Sequence, residues 1–349
     1  MPPPVRIAVL GCAGIARRRM LPAFAGTPGV TPVVVASREA ARAAELAREF
    51  GCRHVQGYAA ALEDPAVDAV YLPLPAALHA DWTEAALHAG KHVLAEKPLT
   101  LDPGRTDRLL ALAAARGLVV AENVMFPHHR QHTAVRDLVR AGAIGELRSL
   151  HAAFAVPRLS DDDIRYRPEL GGGALWDTGV YPVRAAVHHL GGGLRVTGAV
   201  LARGPGRRVD TTGSALLVRG DGVSAQLSFG LDHVYRNVCE LRGTRGRIVI
   251  ERAFTPPADL TPLVRLEDGS GTREIRLAPD DQVRNTVSAF GAAVRARRTS
   301  PDDGIREQAR LLHAIRRRAQ PRSAADPGST AAPYGAADVS APVRRCPGE

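Results

Sequence analysis

Lys97 is one of only two lysines in a chain whose other basic side chains are arginines. It follows the apolar run at residues 92–95 and precedes Pro98. This order predicts a short buried strand that ends at a charged pair, because proline cannot continue a central ladder. Sites in open α/β sheets lie at such strand ends. A compact amine can approach a reacting oxygen and shift its pKa on burial, which a guanidinium cannot do. Lys97 is therefore a candidate for acid–base chemistry; a charge that only caps the sheet is the alternative.

A second candidate is the stretch GGGALWDTGVYP at residues 171–182, which places Asp177 and Tyr181 four positions apart. If this stretch is helical from about Ala174, the carboxylate and the phenol lie one turn apart on one face and point together into a cleft. Pro182 then requires a kink or a local break in the helix. An ordinary core tyrosine is the alternative interpretation of Tyr181.

The N-terminal segment has the pattern of a dinucleotide-binding turn. A β-branched run at residues 5–10 leads into GCAGIA at residues 11–16, and residues 17–25 can form a helix. Strand, glycine turn and helix are the context that gives this motif its meaning. Gly11 suits the tight turn, and Ala16 suits close packing of helix on strand. Ala13 replaces the second glycine, which weakens the expected approach of a pyrophosphate, although the helix N-terminus remains available to an anion.

The end of the second predicted strand indicates which dinucleotide binds. An NAD site places Asp or Glu about 20 residues beyond the glycines, whereas this chain has Ser37 and Arg38 there. A hydroxyl and a guanidinium suit a 2′-phosphate, which needs donors and positive charge. The sequence therefore predicts NADP(H) as the cofactor, and Ser37 can also cap the helix predicted at residues 39–50.

The elements around these candidates predict two domains and a tail. Strands at 69–72, 92–95 and 118–122 alternate with helices at 58–63 and 79–90, which predicts a parallel, doubly wound α/β sheet in a nucleotide domain at residues 1–123. Residues 124–319 are predicted to form a second domain with helices at 131–141, 282–298 and 304–319. Its strands, at 147–156, 196–201, 213–218, 223–231, 238–242 and 247–251, favour a mostly antiparallel sheet with one open face. Residues 320–349 are predicted to be a disordered tail.

Composition excludes several function classes. The chain has 349 residues, 45% hydrophobic and 23% charged, which is typical of a globular protein with two sizeable cores. Its net charge of +10 comes from scattered arginines with 4% aromatics, and anionic small ligands explain it better than nucleic acid does. Neither a signal peptide nor a membrane-spanning run is present in the sequence, and the four cysteines are far apart, so we expect a cytoplasmic protein. The histidines at 128, 129 and 132 lack a partner at ligand spacing, so no metal site is expected.

Four motifs in order, GCAGIA, AEKP at 95–98, EN at 122–123 and GGGALWDTGVYP, together resemble the glucose-fructose oxidoreductase, inositol dehydrogenase and MocA-like oxidoreductase family over roughly residues 5–318. Longer stretches, including YLPLPAALHADW, ENVMFPHH and DIRY, are similar to the nucleotide-sugar 3-ketoreductases of actinomycete deoxysugar pathways. The resemblance implies a Rossmann domain and an open-faced sheet domain through which subunits pair as a homodimer or homotetramer. Ala13 and Tyr181 depart from the glycine and histidine that many members have, and the tail has no counterpart.

The same resemblance implies roles for individual residues. Lys97 and Tyr181 occupy catalytic positions, and Arg165 and Asp177 occupy positions that hold the sugar. Positions that contact the cofactor are Gly11, Cys12, Ala13, Gly14, Ile15, Ala16, Arg17, Arg18, Ser37, Arg38, Tyr58, Leu74, His79, Glu96 and Lys97.

The implied reaction is NADPH-dependent reduction of the C3 ketone of a 3-keto deoxyhexose carried on a nucleotide diphosphate, expected to be dTDP. Tyr181 would donate the proton while Lys97 binds the same oxygen or lowers the pKa of the phenol, and the lysine as immediate donor is the alternative. A dehydrogenase of a free sugar, cyclitol or aromatic diol, and an NADP-sensing regulator without catalysis, remain as alternative functions.

Overall fold

The computed structural model describes residues 3–299 and 304–319. The first part of the chain forms a six-stranded parallel sheet in the order β3-β2-β1-β4-β5-β6. The chain moves outward from β1 to β3 and then returns to the other side of β1, so the order reverses beside that strand. The strands are β1 (Val5–Leu10), β2 (Val30–Ser37), β3 (Arg53–Gln56), β4 (Ala69–Leu72), β5 (His92–Ala95) and β6 (Val120–Glu122).

Helices cover both faces of this sheet, which is why its central strands are apolar along their whole length. β4 is buried at all four positions and β5 at three of four. A π-helical turn at Ala16–Met20 precedes the first α-helix. The helices are α1 (Leu21–Gly26), α2 (Ala40–Glu49), α3 (Tyr58–Glu63), α4 (Ala76–His88) and α5 (Pro103–Ala115).

The second part of the chain forms an eight-stranded sheet in the order β14-β13-β12-β11-β7-β10-β9-β8. Among the described strands of this second sheet, only β7 and β10 pair in parallel. The strands are β7 (Leu147–Ala155), β8 (Arg195–Ala202), β9 (Thr212–Val218), β10 (Ser224–Gly230), β11 (Arg236–Gly243), β12 (Gly246–Glu251), β13 (Leu263–Asp268) and β14 (Gly271–Arg276). The helices are α6 (Arg130–Arg140), α7 (Ala174–Asp177), α8 (Val180–Leu190), α9 (Gln282–Arg295) and α10 (Gly304–Ala319).

The two faces of the second sheet differ because alternate residues point to opposite sides of a strand. Leu150, Leu217 and Leu227 belong to a core that also contains Val183 of α8 and Leu311 of α10. The other face carries mainly small, polar and charged side chains and is not covered by the described helices. The predicted fold class, a parallel Rossmann sheet plus a mostly antiparallel open-faced sheet, is confirmed.

Four elements were not predicted. β3 has the sequence RHVQ and lies at the edge of the first sheet, where exposed polar residues hide the strand pattern. α5 was also missed, and so were β13 and β14, of which β14 is the exposed edge of the second sheet. An edge strand buries little, so its sequence shows little apolar periodicity.

The predicted break near Pro182 is present. α7 ends at Asp177 and α8 begins at Val180, so Pro182 lies in the first turn of a new helix, where its missing N–H costs little. Ser37 does not cap α2: the N-cap is Glu39, and the Ser37 hydroxyl accepts from the Glu39 backbone N–H at 3.2 Å, just before the helix.

All described residues belong to one compact unit, so the predicted boundary at residue 123 stays a prediction. Val287, Phe290 and Val294 of α9 pack in the same core as β1, although the sequence assigned this helix to the second domain. The predicted tail lies outside the described residues. None of the described helices is long and apolar enough to cross a bilayer.

Candidate functional site

The carboxyl ends of the parallel strands meet at one edge of the first sheet. Gly11 follows β1 with a φ of 125°, and a Cβ at this position would lie 3.2 Å from the Leu74 side chain, so the tight turn requires glycine. Glu96 and Lys97 follow β5, and Asn123 follows β6. The Asn123 backbone N–H donates to the Ala95 carbonyl at 2.7 Å, which fixes these two strand ends beside each other.

The glycine turn has positive charge beside it. Around Gly14, the nearest atoms to an added Cβ are the guanidinium nitrogens of Arg18, at 2.8 Å, so this arginine folds back over the turn. Arg17 points elsewhere, because it pairs with Glu45 and Glu49 of α2. The fit to a phosphate-bearing ligand therefore depends on Arg18 and on the turn's backbone, not on both arginines.

The end of β2 has the character expected for a 2′-phosphate. Ser37 is buried, Arg38 is exposed, and the carboxylate of Glu39 lies 3.5 Å from Arg42. Tyr58 stands nearby with its ring against Trp82 at 5.0 Å between centroids. Burial raises the pKa of the Tyr58 phenol, while Arg38 opposes the rise. No acidic side chain occupies the place of Ser37.

His79 connects two backbone segments at the edge of the first sheet where the cofactor is expected to bind. It is 1% exposed, and its ring nitrogens lie 2.7 Å from the carbonyl oxygens of Leu74 and Pro98. Leu74 is thus joined to the Lys97–Pro98 turn, whose peptide bond is cis. Three of the positions predicted to contact the cofactor, Leu74, His79 and Lys97, are held together here.

The fold brings Lys97 to the second predicted site. Its Nζ donates to Asp177 Oδ1 at 2.6 Å and to the Asp177 carbonyl at 2.9 Å, and it lies 5.4 Å from the centre of the Tyr181 ring. The side chains of Lys97 and Asp177 are 14% and 19% exposed. Asp177 ends α7 and Tyr181 lies in the first turn of α8, so the break between these helices directs both toward the sheet edge.

Arg165 completes this cluster. Its Nε donates to Asp177 Oδ2 at 2.8 Å, so both carboxylate oxygens are used, one by each cation. Its Nη1 also lies 3.2 Å from Asp163, the first residue of the noted DIRY stretch, to which the sequence analysis assigned no role. Attraction to Asp177, with Asp163 adding to it and burial opposing it, raises the pKa of Arg165 above its ordinary value.

The charges of the cluster stabilise one another. Burial opposes the charged forms of both Lys97 and Asp177, but the pair and its neighbours outweigh it, so the pKa of Lys97 is raised and that of Asp177 is lowered. The pKa of Tyr181 is raised, because burial outweighs the opposing effect of Lys97. Lys97 lowers the pKa of Tyr181 as expected, but burial raises this pKa by more. The phenol is therefore protonated at neutral pH.

Tyr181 is positioned by aromatic packing. Its ring meets Phe154 at 4.7 Å and Phe254 at 5.8 Å between centroids. Among the described residues, its hydroxyl makes no hydrogen bond. Sequence reasoning missed these two phenylalanines, because they come from β7 and from the loop after β12 and share no spacing with the tyrosine.

Glu96 is held from the opposite side. Its Oε1 accepts from the Tyr71 hydroxyl and from Asn123 Nδ2, both at 2.6 Å. Tyr71 begins the noted stretch YLPLPAALHADW and Asn123 belongs to the noted EN motif, but neither was assigned a role. Burial, with Glu96 adding to it, raises the pKa of Tyr71 well above its ordinary value. The Glu96 carboxylate, fixed by these hydrogen bonds, is therefore adjacent to Lys97 in the sequence. It lies at the edge of the first sheet where the cofactor is expected to bind.

A parallel sheet with a glycine turn at its strand ends, next to a buried lysine and a protonated phenol, defines a dinucleotide-dependent oxidoreductase. Residues 5–124 match the oxidoreductase family with an NAD-binding Rossmann fold, and residues 132–249 match the GFO/IDH/MocA C-terminal domain. The chain belongs to the GFO/IDH/MocA oxidoreductase family. The family predicted from the sequence is thereby confirmed.

Similar proteins extend along almost the whole chain. The dTDP-3,4-didehydro-2,6-dideoxy-alpha-D-glucose 3-reductase of Streptomyces violaceoruber is 53% identical over 326 residues, 90% of this chain and 95% of the relative. The protein of the same name from Actinomadura kijaniata is 48% identical over 316 residues, 90% of this chain and 95% of the relative. The crystal structure of KijD10, a 3-ketoreductase from Actinomadura kijaniata in complex with NADP and TDP-benzene, has a TM-score of 0.87 at 47% identity, covering 90% of this chain and 98% of that one.

Proposed function

We propose that this protein catalyses the NADPH-dependent reduction of the C3 ketone of a dTDP-linked 3-keto-2,6-dideoxyhexose in deoxysugar biosynthesis. The observation that carries the proposal is the cluster of Lys97, Asp177 and Tyr181 at the strand-end edge of a dinucleotide sheet. Support comes from relatives with the named 3-reductase activity at 53% and 48% identity over nine-tenths of this chain.

NADP(H) fits the residues at the edge of the sheet. Gly11, Gly14 and the following helical turn would hold the pyrophosphate with Arg18, and Ser37 and Arg38 would hold the 2′-phosphate. The other positions predicted to contact the cofactor, apart from Arg17, are proposed to contact it along the same edge. When bound, the reduced nicotinamide supplies the hydride.

Tyr181 is the proton donor in this proposal. Its pKa, raised by burial, keeps the phenol protonated until a negative charge develops on the ketone oxygen. Lys97 stabilises that charge as a cation within reach of the same oxygen, and Asp177 fixes the lysine by its 2.6 Å contact. The lysine as immediate donor remains the alternative, since its amine is also protonated.

Asp177 and Arg165 are proposed to hold the sugar. Their side chains are 19% and 41% exposed, so each keeps access to a ligand while paired to the other at 2.8 Å. A carboxylate that accepts and a guanidinium that donates suit the hydroxyl and ring oxygens of a hexose.

KijD10 has a lysine and a tyrosine at the same spacing, and both have been substituted in that protein. Structures of that protein in complex with TDP-benzene and NADP include one with a lysine replaced by alanine and one with a tyrosine replaced by phenylalanine. Those two residues are separated by the same number of positions as Lys97 and Tyr181.

The open face of the second sheet is proposed to pair subunits into a homodimer or homotetramer. Val200 and Leu216 on this face are 61% and 41% exposed, and the face forms a concavity of about 890 Å³. Exposed apolar side chains on a broad sheet face mark a surface that another subunit covers. We also propose a cytoplasmic location, which suits the free thiols of the three described cysteines.

The proposed activity is tested by mixing the protein with NADPH and dTDP-3,4-didehydro-2,6-dideoxyglucose generated enzymatically, and following loss of reduced-nicotinamide absorbance. We expect turnover with NADPH, slower turnover with NADH, and a product reduced at C3 by NMR. Free sugars, cyclitols and aromatic diols, assayed in the oxidative direction with NADP⁺, are the matched comparison. Faster turnover of any of these would overturn the substrate assignment, and NADPH binding without oxidation of any substrate would overturn the enzyme assignment.

A further inference from the structure

Three histidines meet on the side of α8 away from its catalytic end. His132 of α6 is fully buried, and His188 and His189 at the end of α8 are half-buried. One ring nitrogen from each lies within 4.8 Å of the others. From the sequence, only the histidines at 128, 129 and 132 were considered. In the fold, His132 instead meets the adjacent pair His188 and His189 of another helix.

The tautomer of His132 leaves a lone pair at the centre of this group. Its Nε2 lies 2.7 Å from the Ala253 carbonyl oxygen, which can only accept, so Nε2 carries the hydrogen and Nδ1 is bare. Metal-binding histidines commonly donate their second nitrogen to a backbone carbonyl in this way, which fixes the ring. Nδ1 lies 3.1 Å from His189 Nε2 and accepts a hydrogen bond from it, so an ion binds here only when that hydrogen moves to His189 Nδ1.

The packing leaves one nitrogen unsatisfied. His189 Nδ1 is buried and has no hydrogen-bond partner among the described residues. An unpaired buried polar atom costs about 1–3 kcal/mol.

We propose that His132, His188 and His189 bind one divalent transition-metal ion such as Zn²⁺. Imidazole ligands suit Zn²⁺, Cu²⁺ and Ni²⁺. Two nitrogens in a tetrahedral zinc site lie roughly 3.3 Å apart, given Zn–N distances of about 2.0–2.1 Å. The 3.1 Å between His132 Nδ1 and His189 Nε2 is close to this value, and one ring nitrogen of His188 lies within 4.8 Å of ring nitrogens of both.

The position of the cluster defines what the ion does. It ties α6 to the end of α8, the helix whose first turn carries Tyr181, so its role is to fix the two helices and not to take part in the reduction. Arg136, one turn after His132 on α6, adds a positive charge that favours an anionic fourth ligand, such as hydroxide or chloride.

The test is metal binding by the full-length protein after removal of metal with a chelator. Titration with Co²⁺ should give the visible absorption of a tetrahedral site at one equivalent, and competition with a chromophoric chelator should give the Zn²⁺ affinity. His188→Gln and His189→Gln should each weaken binding at least tenfold. His151→Gln, a histidine on the open sheet face, is the control and should bind as the wild type does.

Zn²⁺ should also raise the Tm of the wild type and of His151→Gln, and leave that of His189→Gln unchanged, because a ligand that binds only the folded state stabilises it. The two substituted positions are half-buried, so these variants test binding without removing the fully buried His132. Substoichiometric Co²⁺ binding by the wild type, or an equal loss in His151→Gln, would overturn the proposal.

Discussion

Both lysines of the chain are buried, and each makes contacts that a guanidinium would not reproduce. Lys91 Nζ donates to the carbonyl oxygens of Asp64 and Val67, at 2.9 and 2.8 Å. Lys97 Nζ lies between two oxygens of Asp177 and the Tyr181 ring. A compact ammonium fits such narrow spaces, whereas the planar fork of arginine does not. In a chain dominated by arginine, lysine therefore marks positions where the volume near the charge is restricted.

The proposed acid–base pair leads to a prediction for two variants. Tyr181→Phe removes the donor hydroxyl and Lys97→Met removes the cation, so each should lower kcat by about a hundredfold or more. Lys97→Arg should not restore the rate, because charge alone does not provide the geometry. Steady-state assays with the dTDP-sugar measure the effect, with Tyr235→Phe on the second sheet as the control. Near-normal turnover in both site variants would remove these residues from the chemistry.

The pH dependence of reduction follows from the raised pKa of Tyr181. Burial raises it, with Asp177 adding and Lys97 opposing, and the pKa of Lys97 is raised as well. An acid must be protonated to donate, so activity is present below the pKa and lost above it. We expect kcat to stay level from about pH 7 to about pH 10 and to fall only beyond. An alkaline fall centred near pH 8 in stopped-flow or steady-state rates would contradict this assignment.

Arg38 should determine the choice between the two nicotinamide cofactors. A hydrogen bond to a charged group contributes about 1.5–3 kcal/mol, so Arg38→Ala should raise the KM for NADPH roughly tenfold to a hundredfold and leave the KM for NADH nearly unchanged. Arg53→Ala, another exposed arginine of the same sheet, is the matched control. Equal effects on both cofactors would show that Arg38 does not contact the 2′-phosphate.

At the scale of elements, the break between α7 and α8 decides the geometry of the site. A continuous helix would place Asp177 and Tyr181 on one face at fixed spacing, whereas the break at Thr178 and Gly179 lets each helix have its own direction. A Cβ on Gly179 would lie 2.7 Å from the Leu175 carbonyl oxygen, so the close approach at this turn requires glycine. Local backbone geometry thus sets where the phenol points.

A buried network then fixes α8 against the first sheet. Arg184 of α8 donates to Glu122 of β6 at 2.5 Å and to Gln308 of α10 at 2.7 Å. Gln308 also donates to both oxygens of Glu122, at 2.9 Å. Glu122 further accepts from the Leu99 backbone at 2.7 Å, next to the cis Lys97–Pro98 bond. One carboxylate therefore links the helix that carries Tyr181 to the turn that carries Lys97.

Breaking this network should destabilise the protein strongly. Arg184 and Glu122 have side chains 3% and 1% exposed, so Arg184→Met leaves a buried carboxylate without its cation and should cost about 3–5 kcal/mol. Arg184→Met combined with Glu122→Gln should recover part of this loss. Urea denaturation measures the difference. Arg140→Met is the control, because its pair with Asp137 is exposed and should change stability by less than about 1 kcal/mol. A similar loss of unfolding free energy in Arg184→Met and Arg140→Met would contradict the role of burial.

At the scale of the molecule, one sheet binds the proposed cofactor and the other presents an uncovered face. α9 and α10 return from the second sheet to the first: Phe290 packs with β1, and Ile305 packs with the opposite face of the same sheet. These two helices join the two sheets into one unit. This connection stabilises the relative position of Lys97 and Tyr181.

The uncovered face leads to a prediction about assembly. Val200→Asp together with Leu216→Asp places two charges on the proposed contact surface, and burying them unpaired would be costly. We expect light scattering to show an oligomer for the wild type and a monomer for this variant. Ala114→Glu, on the exposed side of α5, should leave the mass unchanged. A monomeric wild type would rule out the proposed pairing.

Much of this protein was determined by the sequence alone. Alternation of apolar runs with helical segments predicted the parallel sheet, because strands covered on both faces must be continuously apolar. The glycine turn and the lysine before Pro98 were recognisable because few residue types can adopt the backbone conformation of that turn or place a compact amine at that strand end. The family, the fold class and most helices and strands followed from these local patterns.

Tertiary structure decided which distant groups meet. Phe154 and Phe254 join the site from separate segments, and no spacing in the chain predicts contacts of such high sequence separation. Edge strands β3 and β14 escaped detection, since a strand that buries little carries little pattern. The protonation of Tyr181 also depends on the fold, because its pKa is set by burial against nearby charges, and only packing determines that balance.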